Sequence, residues 1–376
     1  MILTKQNKKI VFVINTLMSG GAEGVVQKLS EWFSNNNFDV SVIVFSTKDQ
    51  HYQLCPSVNV FDLDIKNSYN IPKTIYKLRQ TIKQIQPNIV LSMLDNVNFR
   101  TLVSTLFMKN KPDIFVRECV HQSIIRKSVF SRLTYRVLSK LYTLSSGVIG
   151  APGLLQDIHD VFGVPEKLLI PICVPVDIDK CQELAKEPIN HKFLENKDGI
   201  VIVTGAKLDY QKDYPTLLRA ISIVNQQQNC RLIALGKGPL LNTLIELSKN
   251  LRIQDKVDFI GAKKNPFPYF RSGDIFVLSS RYEGFPNALL EAMACGTPVI
   301  STDCKSGPSD IINDGINGYL VPIQSPRKLA EAIIDMMAND SKRNKMKQQA
   351  LIYVRENYSV DIIANKYKQA FETTKK

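Results

Sequence analysis

Two glutamates, Glu283 and Glu291, lie eight positions apart in the stretch SSRYEGFPNALLEAMACGTPVI. Pro286 and Asn287 predict the start of a short helix, NALLEAMA, and Gly296 predicts its end in a left-handed cap. A carboxylate accepts two hydrogen bonds at once and can hold the vicinal hydroxyls of a ribose or a hexose. Free amides at the start of a helix suit a phosphate. The pattern indicates a nucleotide-sugar site; the alternative is that Glu283 caps the helix and Glu291 is only solvated.

A diphosphate carries two negative charges, so such a site needs basic groups beside its carboxylates. The segment GAKLDYQKDYPTLLRA offers Lys207 and Lys212 from a loop that precedes a predicted helix. Each charge-assisted contact to a phosphate contributes about 1.5–3 kcal/mol. Both lysines are therefore candidate ligands of a diphosphate; the alternative is that they are ordinary surface lysines.

The elements that position these residues are short β-branched runs, which alternate with helical segments along the whole chain. In the first half, the predicted strands cover residues 10–14, 40–45, 88–93, 113–116, 147–150 and 167–171. In the second half, they cover residues 199–204, 231–235, 257–260, 274–278, 298–301 and 318–321. Apolar strands separated by helices indicate parallel sheets covered on both faces. The two sets predict two doubly wound, Rossmann-like α/β domains, with ligands at the carboxyl ends of the strands.

A polar stretch without a strand separates the two sets and predicts the domain boundary. The predicted parts are an N-terminal domain at 1–180, a linker at 181–198, a C-terminal domain at 199–356 and a final helix at 357–376. The final helix has Ser359 as a candidate N-cap and three apolar residues on one face, Ile363, Tyr367 and Phe371. We expect this face to pack into a groove.

The composition limits the class of protein. The 376 residues carry a net charge of +13, which calls for an anionic partner such as nucleic acid, lipid headgroups or phosphorylated substrates. The seven cysteines are never spaced as CxxC, which favours reduced thiols in a cytoplasmic protein over a disulfide frame or a zinc site. The N-terminal run IVFVI reads as a strand rather than a signal peptide, and no apolar run is long enough to span a membrane.

The basic surplus has a local centre between residues 119 and 156, where no Asp or Glu occurs. Five basic residues lie close together in this segment: Arg126, Lys127, Arg132, Arg136 and Lys140. The last three share one face of a predicted helix, beside Leu133 and Val137. The face is a candidate patch for an anionic membrane or a lipid-diphosphate acceptor; the alternative is a solvated helix face.

Two Asp-x-Asp strings, Asp62 to Asp64 and Asp177 to Asp179, match a known metal-binding motif of two spaced carboxylates. Chance produces about one such match in a chain of this aspartate content, so the signal is weak. The string GGAE, with Gly20 and Gly21, is also weak by itself, because a glycine turn before a helix also serves tight packing.

The second half resembles a retaining glycosyltransferase of the GT-B fold, in the large family four, whose signature is a Glu, seven residues and a second Glu. The signature here is EGFPNALLE, and further matching pieces are ALGKGP, VDFIGAKKNPFPYF, GDIFVLSSRYEGFPN, STDCKSGPSDII and DGINGYLVP. The first half is similar more weakly, through NTLMSGGAEGVV, to the glycine loop of capsule and glycan transferases. The resemblance implies an acceptor domain and a donor domain that face a cleft, and a C-terminal helix that crosses back to the first domain.

The resemblance also implies roles for single residues. Glu291 holds the ribose, Glu283 and the backbone of residues 284–287 hold the donor sugar, and Lys207 and Lys212 neutralise the diphosphate. The implied catalytic residues are Glu283, Lys212 and Lys207. The rest of the implied donor site is Gly205, Gly236, Gly284, Phe285, Pro286, Asn287, Gly20 and Gly21.

The chain departs from the family pattern at several positions. Lys207 stands where an arginine is usual, after Ala206 in place of glycine, so a bidentate contact is lost. Gly24 replaces an arginine, and Asp310 replaces a glutamate. The family has a histidine in its first domain. In this sequence His121 occupies that position, or Cys119 does if the alignment is shifted.

The implied activity is the transfer of an N-acetylhexosamine or a hexose from a UDP-sugar to a lipid-linked glycan acceptor. This reaction belongs to surface polysaccharide biosynthesis. The resemblance implies retention of configuration, with the departing phosphate oxygen accepting the acceptor proton, and no cofactor or metal. We expect the protein at the cytoplasmic face of the inner membrane, held peripherally by Arg126, Arg132, Arg136 and Lys140, with His121 near the acceptor. The alternatives are a nucleotide-sugar epimerase of the same fold and a nucleic-acid-binding protein; the chain lacks basic motifs interleaved with aromatic residues, which disfavours the latter.

Overall fold

A computed structural model describes residues 8–18, 20–47, 52–65, 70–126, 128–195 and 198–373. The chain forms two units. The first comprises Met1–Pro175 and Val360–Lys376, and the second comprises Val176–Ser359. Elements are numbered in chain order below.

The first unit is a parallel seven-stranded sheet in the order β3-β2-β1-β4-β5-β6-β7. Its strands are β1 (Lys9–Ile14), β2 (Asp39–Val44), β3 (Asn59–Asp62), β4 (Ile89–Met93), β5 (Asp113–Arg117), β6 (Gly147–Gly150) and β7 (Leu169–Pro171). Its helices are α1 (Gly21–Asn35), α2 (Ile71–Ile85), α3 (Asp95–Ser104), α4 (Gln122–Ile125), α5 (Val129–Leu141), α6 (Pro152–Phe162) and α16 (Val360–Thr373). Single 3₁₀ turns lie at Tyr142–Leu144 and Glu166–Leu168.

The strands predicted for the first half are confirmed, but the sequence pattern missed β3. This strand lies at the edge of the sheet, pairs only with β2, and is largely exposed. Its sequence, NVFD, has polar residues at both ends and too few apolar positions to show a buried strand. An edge strand faces solvent on one side and needs no continuous apolar run, so it leaves a weak signal.

The second unit is a parallel six-stranded sheet in the order β10-β9-β8-β11-β12-β13. Its strands, all predicted, are β8 (Ile200–Gly205), β9 (Cys230–Leu235), β10 (Val257–Gly261), β11 (Ile275–Leu278), β12 (Val299–Thr302) and β13 (Tyr319–Val321). Its helices are α7 (Ile178–Leu184), α8 (Lys192–Glu195), α9 (Tyr214–Val224), α10 (Leu241–Asn250), α11 (Phe267–Ser272), α12 (Asn287–Ala294), α13 (Pro308–Ile311), α14 (Pro326–Ala338) and α15 (Asp340–Tyr358), with a 3₁₀ turn at Gln254–Lys256.

Both sheets are doubly wound, as predicted. The strand order reverses at β1 and β4 in the first sheet and at β8 and β11 in the second. In such sheets, ligands bind outside the carboxyl ends of the strands at the reversal. The loops after β8 and β11 carry Lys207, Lys212 and Glu283, so these three residues lie at the position that the fold favours for a ligand.

The polar stretch expected to be a linker, 181–198, lies in the second unit. It begins inside α7 and includes α8, and its residues 196 and 197 are outside the described part of the chain.

The C-terminal helix α16 belongs to the first unit, and its predicted apolar face is buried. The Phe371 ring lies 4.8 Å from Phe115 and 5.7 Å from Phe33. Arg117 donates a hydrogen bond to the hydroxyl of Tyr367, and its guanidinium lies 5.8 Å from the centre of that ring. The helix therefore completes the core of the first unit.

Candidate active site

The loops after β8 and β11 bring Lys212 and Glu283 into direct contact. Lys212 Nζ lies 2.5 Å from Glu283 Oε1, and the hydroxyl of Ser280 donates to the same oxygen at 2.5 Å. The Glu283 residue is only 3% exposed. A buried carboxylate is stable only when it is paired and hydrogen-bonded, and Lys212 and Ser280 supply both conditions.

Backbone contacts hold these two loops together and fix the position of Lys212. The hydroxyl of Ser279 donates to the Lys212 carbonyl at 2.8 Å. The Gln211 amide nitrogen donates to the Tyr282 carbonyl at 3.0 Å and to Glu283 Oε2 at 3.4 Å. The geometry of the Lys212–Glu283 pair is therefore set by several contacts between the loops.

A second ion pair links the same loops on their outer side. Arg281 Nη2 lies 2.9 Å from the buried Asp213 carboxylate, and the Arg281 guanidinium lies 4.2 Å from the centre of the Tyr210 ring. Asp213 has a left-handed backbone at the start of α9, with φ of 45°. This pair fixes the backbone beside Lys212 and leaves Lys212 for Glu283.

Lys207 differs from Lys212 because its side chain extends into solvent. The Lys207 side chain is 69% exposed, and its Nζ lies 3.7 Å from Asp209. Pairs exposed to this degree contribute little to stability. Lys207 is therefore able to reorient toward an anion without breaking a buried contact.

Two of the glycines predicted at the donor site are required by packing. A Cβ on Gly236 would lie 1.9 Å from the Ala206 carbonyl oxygen, and its φ of +145° lies in the region that favours glycine. A Cβ on Gly205 would lie 2.7 Å from the Phe270 ring. At Gly236 the loops after β8 and β9 approach too closely for a side chain, and at Gly205 the space is filled by the Phe270 ring of α11.

Helix α12 follows the prediction at both ends. It begins at Asn287 after Pro286, and Gly296 follows its last turn with φ of +77°. No side chain caps its first turn, so the alternative in which Glu283 serves as the helix cap is wrong. Glu291 lies about one turn into the helix and is half-buried.

A third loop packs against residues 284–287. The Ser306 hydroxyl donates to the Glu283 carbonyl at 3.1 Å, and a Cβ on Gly307, whose φ is +94°, would lie 2.6 Å from Pro286 Cδ. Burial raises the pKa of Asp310, which follows this loop. Sequence reasoning missed Ser280, Gln211 and Ser306, because serine and glutamine in loops carry no distinctive pattern.

In the first unit, the predicted glycine loop leads into α1. The helix begins at Gly21, and a Cβ on Gly20 would lie 2.2 Å from Glu23 Oε2. The Tyr52 hydroxyl donates to the Gly20 carbonyl at 3.3 Å. Burial raises the pKa of Glu23. The neighbour of Gly20 is the end of the flexible Glu23 side chain, so packing alone does not require a glycine here, and the role of Gly20 and Gly21 at a donor stays a prediction.

His121 is enclosed rather than exposed. Its ring nitrogen Nδ1 lies 3.5 Å from Asp157 Oδ2, and both side chains are fully buried. Burial acts to raise the pKa of Asp157, but hydrogen bonds from His121 and from Ser123 outweigh it and hold the pKa below its usual value. Burial also raises the pKa of Cys119, the alternative residue, to about 11.

The predicted basic helix is α5, and its outer face is both basic and apolar. Arg132, Arg136 and Lys140 are exposed, as predicted. Val129 is 85% exposed and Phe130 is 77% exposed, and more than half of Leu133 and Val137 is exposed as well. Large apolar side chains that lie together in solvent mark an interaction surface.

Arg126 does not share this exposed face. It forms an ion pair with Asp95, its Nε donates to Gln122 at 2.9 Å, and its guanidinium lies 4.7 Å from the centre of the Tyr135 ring. These contacts hold Arg126 against the unit. Lys127 lies outside the described residues.

The two Asp-x-Asp strings have local roles in the backbone. Asp62 accepts hydrogen bonds from the backbone amides of Thr47 and Asp64, at 3.1 and 2.7 Å. Asp177 caps α7 by accepting from the Lys180 amide at 3.0 Å. Within the described ranges, no group of three or more His, Cys, Asp or Glu residues is arranged to hold a metal ion.

Residues 185–351 match the family Glycosyl transferases group 1, a range that includes the Lys212–Glu283 pair and Glu291. This part of the second unit is therefore similar to a group 1 glycosyltransferase domain. A curated relative of this glycosyltransferase is the N-acetylgalactosamine-N,N'-diacetylbacillosaminyl-diphospho-undecaprenol 4-alpha-N-acetylgalactosaminyltransferase of Campylobacter jejuni, 28% identical over 91% of this chain and 94% of the relative. The amylovoran biosynthesis glycosyltransferase AmsD of Erwinia amylovora is 24% identical over 91% of this chain and 93% of its own length.

Solved structures identify the fold of this glycosyltransferase as GT-B. Anabaena Alr3699/HepE, solved with UDP and glucose, superposes with a TM-score of 0.79 at 17% identity, over 98% of this chain and 100% of that one. The fold prediction is thereby confirmed. Among the described helices, none combines the length and the apolar character needed to cross a membrane.

Proposed function

We propose that this glycosyltransferase is a retaining enzyme that moves an N-acetylhexosamine or a hexose from a UDP-sugar to a lipid-linked glycan in surface polysaccharide biosynthesis. The observation that carries the proposal is the buried Lys212–Glu283 pair in front of α12, the helix that presents Glu291. Two facts about other proteins support the substrates. A Campylobacter relative is named for transfer to a diphospho-undecaprenol acceptor, and HepE was solved with UDP and glucose.

In the proposed complex, Glu291 accepts hydrogen bonds from the ribose hydroxyls, and Glu283 accepts them from hydroxyls of the donor sugar. Lys212 is paired with Glu283 at 2.5 Å, so a diphosphate at this site competes with Glu283 for the charge of Lys212. Lys207, which is mostly exposed, turns toward the same diphosphate. Donor binding thus exchanges one ion pair for others and leaves Glu283 to the sugar.

The proposed chemistry needs little from the protein beyond position and charge. The bond between the anomeric carbon and the phosphate oxygen breaks, the acceptor oxygen bonds to the anomeric carbon on the same face, and its proton passes to the leaving phosphate oxygen. Lys207 and Lys212 stabilise the negative charge that develops on that phosphate, while Glu283 stabilises the positive charge of the oxocarbenium-like sugar. Because lysines and the amides of α12 offset the phosphate charge, we propose that no metal is required.

We further propose that α5 holds the enzyme peripherally at the cytoplasmic face of the inner membrane, where a lipid-linked acceptor lies. Arg132, Arg136 and Lys140 each contribute about 1 kcal/mol near an anionic surface. Val129 and Phe130 add apolar area that can enter the interfacial region of the lipid.

The membrane contact is tested with vesicles that contain phosphatidylglycerol. Replacing Arg132, Arg136 and Lys140 with glutamine removes about 3 kcal/mol of binding energy and should weaken vesicle binding on the order of 100-fold. Rising salt should weaken the binding of the parent protein to the same vesicles. The matched control replaces three exposed lysines elsewhere in the unit, Lys73, Lys167 and Lys366, with glutamine. If the variant with glutamine at Arg132, Arg136 and Lys140 binds the vesicles as well as the parent does, the α5 face is only solvated.

The activity itself is tested by supplying radiolabelled UDP-sugars with membrane lipid extract and measuring label in the lipid fraction together with UDP release. Transfer of label with equimolar UDP supports the proposal, and the configuration of the new bond shows whether the enzyme retains it. Epimerised UDP-sugar without transfer would establish the epimerase alternative. Absence of both products with every donor would overturn the proposed activity.

A further inference from the structure

The first unit contains a cavity at the end of its sheet where the amino ends of the strands lie. The cavity has a volume of about 620 Å³ and lies at the amino ends of β4 and β5, between the end of α2 and the loop that precedes β5. Parallel sheets of this kind bind their substrates at the carboxyl ends. The cavity is therefore separate from any substrate site that the fold predicts for this unit.

The rim of the cavity is strongly basic. Among the described residues, fourteen line the cavity; four of them are lysines, Lys8, Lys83, Lys109 and Lys111, and one is acidic, Asp113. In the whole chain, 48 of 376 residues are lysine or arginine, about one in eight, so the lining is enriched more than twofold. A concave surface lined by one sign of charge concentrates ions of the opposite sign.

Two of the four lysines have no partner. The side-chain amines of Lys83 and Lys109 form neither a hydrogen bond nor an ion pair with any described residue, and both residues are exposed. The other two are engaged weakly or locally. Lys8 Nζ lies 3.9 Å from Glu372, and Lys111 Nζ donates to the Leu144 carbonyl at 2.9 Å.

The buried part of the cavity lining, its floor, is apolar. Ile82, Ile89, Pro112 and Phe371 are buried there. Lys9 Nζ, 3.4 Å from the Ile85 carbonyl at the end of α2, reduces the negative character of that helix end. A basic rim above an apolar floor suits a ligand with an anionic end and an apolar or planar body.

We propose that this cavity binds a phosphate- or diphosphate-bearing molecule, with Lys83 and Lys109 contacting the phosphate and the body of the ligand resting on the apolar floor. Lysine is a point-charge donor that binds phosphate without requiring a fixed orientation. The site is formed by the first unit alone, and it stands whether or not the proposed transfer reaction is correct.

The test is lysine footprinting of the full-length protein. The protein is acylated in brief pulses, and the rate at each lysine is read by mass spectrometry with inorganic pyrophosphate, with phosphatidylglycerol vesicles, or with sodium chloride at matched ionic strength. We expect at least threefold slower labelling of Lys83 and Lys109 with pyrophosphate or with vesicles, but not with chloride. Protection by pyrophosphate assigns a free phosphate ligand, and protection by vesicles alone assigns a lipid headgroup.

A paired set of variants separates the cavity from general charge effects. The double variant Lys83→Gln, Lys109→Gln should bind pyrophosphate at this site at least tenfold more weakly by calorimetry, while Lys73→Gln, Lys167→Gln, which removes the same charge from exposed positions of the same unit, should not. Labelling of Lys207 and Lys212 in the same experiment reports the donor site independently. Unchanged labelling of Lys83 and Lys109 with both probes, or equal protection of Lys73 and Lys167, would overturn the proposal.

Discussion

In the described part of each unit, one glutamate is buried beyond the carboxyl end of an interior strand, and the two glutamates have different partners. Glu283, after β11, is paired with the charged amine of Lys212. Glu118, after β5, accepts hydrogen bonds from the neutral groups of Tyr142 and Gln122. Burial raises the pKa of Glu118 to about 7, although those hydrogen bonds act to lower it.

The comparison shows how the partner of a buried carboxylate decides its chemistry. A cationic partner offsets the cost of burying a carboxylate, and Lys212 supplies that charge to Glu283. Neutral donors do not offset the cost of burying a charge, so Glu118 takes up a proton near neutral pH. The ion pair of Arg126 and Asp95 lies beside this second cluster, and Asp95 raises the pKa of Glu118 further.

The largest effect is expected at Glu283. Glu283→Gln removes the charge but keeps the shape, so sugar transfer should fall by roughly 10²–10³-fold, the cost of losing one electrostatic contact to the transition state. UDP affinity should fall by less than about threefold, because the residue contacts the sugar and its loss leaves Lys212 to the diphosphate. Turnover and UDP titration of the same preparation check both numbers, and a rate within threefold of the parent would remove Glu283 from the mechanism.

A smaller effect on a different quantity is expected at Glu291. Glu291→Ala removes the proposed hydrogen bonds to ribose, worth about 1.5–3 kcal/mol, so UDP should bind roughly 10–100-fold more weakly. Calorimetry with UDP measures this, and Glu291→Gln serves as the control that retains an acceptor. If both glutamates change UDP affinity equally and slightly, their division of roles is wrong.

The neutral partners of Glu118 predict that the stability of the first unit depends on pH. The pKa of Glu118 is about 7 in the folded state and 4.5 in the unfolded state, so the folded state binds more protons between these values. Stability of this unit should therefore fall as the pH rises from 4.5 to about 7. Glu118→Gln should remove this fall and stabilise the unit at pH 8 by about 1–2 kcal/mol, the burial cost less the changed hydrogen bonds.

The single tryptophan, Trp32, gives a probe for this test, because it lies in the first unit and its indole donates to Asp361 at 2.6 Å. Urea unfolding followed by Trp32 fluorescence at pH 5, 6, 7 and 8 measures the free energy of unfolding. A parent whose stability is flat across this range would contradict the assignment of Glu118.

The smallest effect is expected from metal removal. If Lys207, Lys212 and the α12 amides offset the phosphate charge, a chelator should change turnover by less than about twofold. If activity disappears with chelator and returns with Mn²⁺ or Mg²⁺, the lysines do not suffice. The two Asp-x-Asp strings would then become candidate metal ligands again.

The sequence by itself determined the elements that depend on neighbouring residues. Twelve of the strands could be predicted from the sequence, because strands buried on both faces need continuous apolar residues. The limits of α12 were visible because Pro286 and Gly296 act through their own backbone geometry. The signature from Glu283 to Glu291 also lies within one loop and one helix.

Only the tertiary structure decided which distant side chains meet. Lys212 and Glu283 are 71 positions apart, and Arg126 and Asp95 are 31 apart, so no local pattern shows that either pair forms. The same holds for Glu118, whose burial depends on α3, α4 and the turn at Tyr142 packing over β5. The reason is physical: local geometry follows from adjacent residues, whereas the charge of a buried group depends on whichever partners the packed sheet and helices bring to it.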